Sequence, residues 1–209
     1  AVTFIQTGGS SSGDPKNLWE ISGSNSFSSG IDNSVSDRFS ICSGTALGTT
    51  DRMRIGTTGD VTFPANVAFM SFLPTDVTNV TGQSGTYALG GGTALTEVFD
   101  NGGNMGTDGT FTAPVTGRYD LRVNFKVIGT TIANKFNAAI ITENRTYIST
   151  FSRTASNADQ SWYMATIADM DAADIATFQL AVTGEAADTD DIDGASGTLV
   201  TFVSGTLVA

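Results

Sequence analysis

The chain has 209 residues, no histidine, one cysteine, and 21 acids against 10 bases, for a net charge of −11. These totals close off every Ser-His-Asp and Cys-His arrangement and His-ligated zinc, exclude an intrachain disulfide, and disfavour nucleic acid and anionic membrane, whose phosphates need clustered Lys or Arg. No apolar run approaches the ~20 residues of a membrane-spanning helix, and 24 glycines among abundant Ser and Thr point to an all-β chain with many turns.

A chain that opens on Ala1 rather than Met reads as a processed product or as a piece of something longer. From Ala1 to Thr62 short apolar pairs alternate with Ser/Gly/Asn/Thr turns. Leu18–Ile21, Arg38–Ile41 and Arg52–Ile55 each set a bulky residue (Trp19, Phe39, Met53) two places before an isoleucine, hence on one face of a short strand. Strands that bury two side chains apiece make no core alone, whereas three chains wound about one axis bury them together. The run Asp51–Val61 resembles the β-prism shafts of phage tail fibres, which implies a trimeric shaft over 1–62 with Trp19, Phe39 and Met53 near its axis. Cys42 is expected there as a small buried hydrophobe.

Beyond Phe63 the pattern predicts strands over 68–73, 95–99, 110–112, 119–128, 136–141, 146–151, 162–167, 175–182 and 199–208, with the stretch between the first two left as a Thr/Gly-rich loop. The alternation is strictest at Tyr119, Leu121, Val123, Phe125 and Val127, with Asp120, Arg122, Asn124 and Lys126 between them, the period of a strand with one dry face. The last strand carries apolar residues on both faces, Leu199, Val203 and Leu207 against Val200, Phe202 and Val208.

The turn-strand stretch Gly109–Ile128 resembles the C1q-like family, which shares its jelly roll with the tumour-necrosis-factor superfamily. Val67–Ser71, Val98–Gly103, Met170–Ile175 and Thr201–Val208 fit the same family in the same order. Ala173-Asp174 stands where that family usually has Gly-Asp. The resemblance implies a C1q/TNF-like jelly-roll head over 63–209, homotrimeric, with Leu199, Phe202 and Leu207 at the threefold interface and both termini at its base.

Acids concentrate in the head, 15 against 6 bases after Thr62 compared with 6 against 4 before it. They crowd one predicted loop rather than facing each other across a groove, as a glycosidase requires, so no catalytic residue is assigned. Asp188, Asp190, Asp191 and Asp193 are candidate calcium ligands, four carboxylates followed by Gly194, although Ile192 spoils an EF-hand. The alternative is a solvated acidic turn. Asn79-Val-Thr81 and Asn144-Arg-Thr146 match glycosylation sequons, which matter only in a secretory pathway. With the family's base placed at the termini, loops 129–133, 154–160 and 184–196 fall at the far end. They make Asn157, Asp159, Asp188, Asp190, Asp191 and Asp193 the candidate receptor-binding residues. The expected function is a non-enzymatic virion fibre whose trimeric head binds a host-surface receptor or glycan and whose shaft joins other virion proteins upstream. The alternative is a structural capsid fibre or bacterial surface filament whose head caps and registers three chains.

Overall fold

The computed structural model describes residues 13–154 and 159–208. Every regular element in them is a β-strand; among the described residues there is no helix, and therefore none long and apolar enough to cross a membrane. The chain divides into two compact units at Asn66/Val67.

The first unit is a five-stranded antiparallel meander, β1 (Lys16–Glu20), β2 (Ser26–Asp32), β3 (Arg38–Ser43), β4 (Asp51–Ile55) and β5 (Val61–Thr62), paired in chain order. Its register decides what each face carries. Trp19 lies opposite Phe27, Ile31 opposite Phe39, Ile41 opposite Met53, and Ile55 opposite both Phe39 and Val61. Because side chains alternate along a strand and paired residues share a face, all eight stand on one side. The other side carries Ser28, Asp32, Ser40, Cys42 and Asp51, and these are the buried ones. β2 has no counterpart in the sequence reading, since Ser26–Asp32 spends its inward positions on Ser28, Gly30 and Asp32 and shows no apolar alternation there.

The second unit is an all-β jelly-roll sandwich, the class expected from the sequence. It contains β6 (Ala68–Phe72), β7 (Thr75–Thr81), β8 (Thr86–Ala88), β9 (Thr96–Asp100), β10 (Phe111–Thr112), β11 (Gly117–Ile128), β12 (Lys135–Thr142), β13 (Thr146–Ser152), β14 (Gln160–Met170), β15 (Ile175–Thr183), β16 (Asp190–Ala195) and β17 (Phe202–Leu207). β11 is the hub of the larger sheet. It pairs with β14 along nearly its whole length, with β17 over Tyr119–Asn124, and with β16 at Val127 and Ile128; β6 and β9 continue beyond β17, and β7 beyond β16. The facing sheet runs β10-β15-β12-β13, with β8 on the same edge of β15 as β10.

Between the sheets lies the core predicted by the strict alternation. Tyr119, Leu121, Val123, Phe125 and Val127 of β11 are sealed against Phe136, Ala138 and Ile140 of β12 and Phe178, Leu180 and Val182 of β15. In β17 a glycine is required by contact rather than by dihedral angle: a methyl group on Gly205 would lie 2.5 Å from the ring of Phe69, its partner on β6. The closing strand differs from the expected 199–208 by starting at Phe202, so Leu199 precedes it. Its inward side chains are Val203 and Leu207, with Leu207 packed on the core and not outward. Ala173 occupies the left-handed region at φ 75° in the turn between β14 and β15, the place where a glycine was expected.

Candidate functional site

Three features compete for function: the uncovered face of the first unit, the outer face of the larger head sheet, and the acidic end of the head.

On the first unit, Trp19 is 56% exposed, and Phe27, Ile41 and Val61 are exposed beside it, while Phe39 and Met53 are half-buried. The buried side is an ion cluster. Arg38 reaches Asp32 at 3.1 Å and Asp51 at 3.0 Å, Arg54 Nε reaches Asp51 at 2.6 Å, and the Gly48 amide and the Cys42 thiol both donate to Asp51 Oδ1. Burial works against the Asp51 charge, but the Cys42 thiol, Arg54 and the Gly48 amide outweigh it and hold the carboxyl below its usual range. Cys42 is therefore buried as expected, but as a hydrogen-bond donor in a charged cluster rather than as a hydrophobe. Burial, and after it the hydrogen bond to Asp51, pushes its thiol up, away from the reactive thiolate.

On the head, the outward residues of β14, β11, β17, β6 and β9 form rows. One runs Tyr163–Asn124–Phe202, another Ala165–Arg122–Ser204–Met70–Phe99, a third Ile167–Asp120–Thr206–Ala68. Tyr163, Ile167 and Phe99 are exposed. Their centre is a single ion pair, Arg122 Nη2 to Asp120 Oδ2 at 2.5 Å, with a depression of about 210 Å³ between Phe99, Asp120, Arg122 and Ser204. Of the three head residues expected at a threefold interface, Phe202 alone stands on this face.

The acidic end differs most from its sequence reading. Loops 129–133 and 184–189 do meet, joined by a third, 82–85, that the sequence reading passed over. The expected loop 184–196 is a loop only to Thr189, because Asp190–Ala195 is strand β16. Glu185, buried, accepts from the amides of Thr131, Ile132 and Ala133 at 2.6–2.7 Å and from the Thr131 hydroxyl. Asp188 Oδ1 accepts from the amides of Gln83, Ser84 and Gly85 at 2.8–3.0 Å. Each carboxylate thus holds three consecutive backbone N–H groups, the geometry of an anion nest supplied from within. The amides of Gly85, Ser84 and Gln83 hold the Asp188 carboxyl below its usual range. For Glu185, burial opposes the charge, but the Thr131 hydroxyl and the three amides prevail.

The four candidate calcium ligands are dispersed. Asp188 faces the 83–85 amides, Asp190 points inward, Asp191 accepts from the Asn79 amide at 2.7 Å, and Asp193 pairs with Lys126. Among the described residues no three His, Cys, Asp or Glu side chains converge as a metal site. The calcium reading is corrected accordingly, and none of the four is assigned as a metal ligand. The physical reason is strand alternation, which sends Asp190 to one face of β16 and Asp191 and Asp193 to the other. Of the other receptor candidates, Asp159 is exposed just before β14, and Asn157 lies outside the described residues. Asn79, in the first sequon, sits in the left-handed region at φ 56°.

No family model and no curated protein matches the chain. Solved structures do match in shape. Murine APRIL is 13% identical over 68% of this chain and 99% of its own, with a TM-score of 0.46. The globular domain of zebrafish complement 1qA is 12% identical over 69% of this chain and 98% of its own, at 0.43. The PRD1 vertex protein P5 is 12% identical over 72% of this chain and 78% of its own, at 0.48.

Proposed function

We propose that the chain is the distal part of a non-enzymatic, homotrimeric virion fibre of the phage tail-fibre kind, whose N-terminal unit is the end of a shaft and whose head attaches to a host-surface receptor or glycan. The observation that carries this reading is the first unit's inverted sheet. Eight apolar side chains share a face that a charge reaches only at its edge, where Arg52 donates to Ser43, while the carboxylates of Asp32 and Asp51 are buried on the opposite face. Soluble monomers rarely leave contiguous apolar surface of this sort open, and a mainly apolar face is self-complementary in a way that a charged one is not. On the head, Phe202, Tyr163 and Ile167 flank the Arg122–Asp120 pair and supply the apolar part of a second face for the same assembly. Three heads on one axis convert three weak contacts into one firm attachment through effective concentration. Loops 82–85, 129–133 and 184–189, held by carboxylates rather than by ladders, supply the variable surface that attachment uses.

Sedimentation of the wild type should show a trimer, and Phe202→Asp, which would place a charge in the interface, should shift it to monomer. The labelled wild type should bind intact host cells and compete with the parent particle, and the monomeric variant should do so far more weakly. A wild type that stays monomeric at high concentration would sink the architecture. A trimer that binds no host cell would leave the shaft and remove the attachment.

A further inference from the structure

One carboxyl at the acidic end has no role in holding the loops. Asp190 has no exposed surface, and neither of its oxygens has a hydrogen-bond partner among the described residues. It opens β16 opposite Thr81 of β7, in a ladder of three residue pairs whose register shifts twice. This is the least regular edge of the head. The charged groups acting on Asp190 are Glu185, Asp191 and Asp188, all of its own sign, and Arg153, which attracts it without hydrogen-bonding to it. Arg153 is engaged elsewhere, its guanidinium 5.1 Å from the centre of the Phe136 ring and donating to the Thr130 hydroxyl. Thr81 across the ladder, and Val127 and Ile128 where β16 meets β11, bring no charge.

A bare carboxylate in such surroundings is heavily penalised, and the neutral acid much less so. A metal ion does not answer the need, because the neighbouring carboxylates are turned to protein donors of their own and no ligand set converges among the described residues. The cation that requires no ligand sphere is a proton. We propose that Asp190 is a proton-binding site that sets how tightly the loop end of the head is closed: with the proton bound, the β7–β16 edge is sealed against β11, and with the proton lost, that edge loosens. Burial, reinforced by the Glu185 charge, pushes the Asp190 carboxyl up to about 6. A folded value above the unfolded one gives stability that is complete in acid and lost as pH rises through about 6. Glu185 and Asp188, with depressed values, weaken the fold only at a pH below roughly 4, so the interval from about pH 5 to about pH 8 reports Asp190. The inference needs neither the trimer nor a receptor.

The test uses the full chain at one protein concentration, with thermal unfolding and amide hydrogen exchange followed at about pH 5 and about pH 8. The wild type should favour its folded form on the order of tenfold more at the lower pH. Amides of β7 and β16 should gain protection there beyond the intrinsic pH effect on exchange. Asp190→Asn should melt above the wild type at the higher pH and lose the dependence. Carbon-13 titration of the wild-type carboxyls reads the same group without a variant and should find one aspartate titrating near 6. The proposal fails if no aspartate titrates above the usual range, or if Asp190→Asn keeps the wild-type pH dependence. It fails equally if calcium chloride at the higher pH reproduces the stabilisation in the wild type and not in Asp190→Asn, which would make the site a metal site.

Discussion

In the N-terminal unit Arg38 lies between Asp32 and Asp51 on the covered face, and Trp19, Phe27 and Ile41 lie open; in the head Phe125, Phe136 and Phe178 are sealed, and Arg122 lies open beside a half-buried Asp120. The head thus has the ordinary arrangement of a self-sufficient domain, with a dispersive core and a charged exterior. The first unit has the arrangement of one part of a core whose other parts belong elsewhere. Buried ion clusters add little net stability, yet they penalise misplacement severely, so they fix one geometry of the sheet. The exposed apolar face then supplies the driving force when that geometry meets its copies.

The most severe way to break this contrast is to remove the charge at its centre. Asp51→Ala leaves Arg38 and Arg54 without their shared carboxylate and should destabilise the first unit by about 3–5 kcal/mol, with the head's melting unchanged. Limited proteolysis that maps new cleavage to residues 13–66 would check it; an unchanged digestion pattern would mean that the cluster is not what holds the sheet. Next in size, Ile41→Asp separates a free face from a covered one. On a lone chain an exposed substitution is worth within about 0.5 kcal/mol, whereas in a dry interface the charge costs about 2–4 kcal/mol per chain. Unfolding across a dilution series distinguishes the two, since only the covered face makes the effect concentration-dependent. The smallest effect concerns the head's own strain. Ala173→Gly relieves a left-handed alanine and should stabilise the head by about 1 kcal/mol. A loss of stability there would show that the turn gains more from the unfolded chain's stiffness than it spends in strain.

The apolar faces were legible because they obey alternation. The β11 core positions, the outward position of Phe202, and the shared face of Trp19, Phe39 and Met53 all follow from period two. What escaped did so where alternation carries no apolar signal. β16 places a carboxylate, Asp190, where a strand would ordinarily show an apolar residue, so Asp190–Ala195 read as a turn. β7 is Thr-rich, with Val77 and Val80 three apart rather than two, because its register slips. The family resemblance places Leu207 at a threefold interface, whereas its parity with Val203 turns it onto the core. The ion cluster of the first unit was illegible for a different reason. Its members, Asp32, Arg38 and Asp51, come from three strands, and nothing in a single sequence says that the small serines between them open the space they fill.

The clasping of loops by Glu185 and Asp188 has a consequence for variation. Both carboxylates grip main-chain amides, so the side chains of Gln83, Ser84 and Ile132 take no part in the fastening. Those positions can change identity without any change in the path of the chain that bears them. A lineage meeting an altered surface, or an experimenter randomising these three positions, would then sample new recognition chemistries on an unaltered backbone, as long as the two acids beneath are kept.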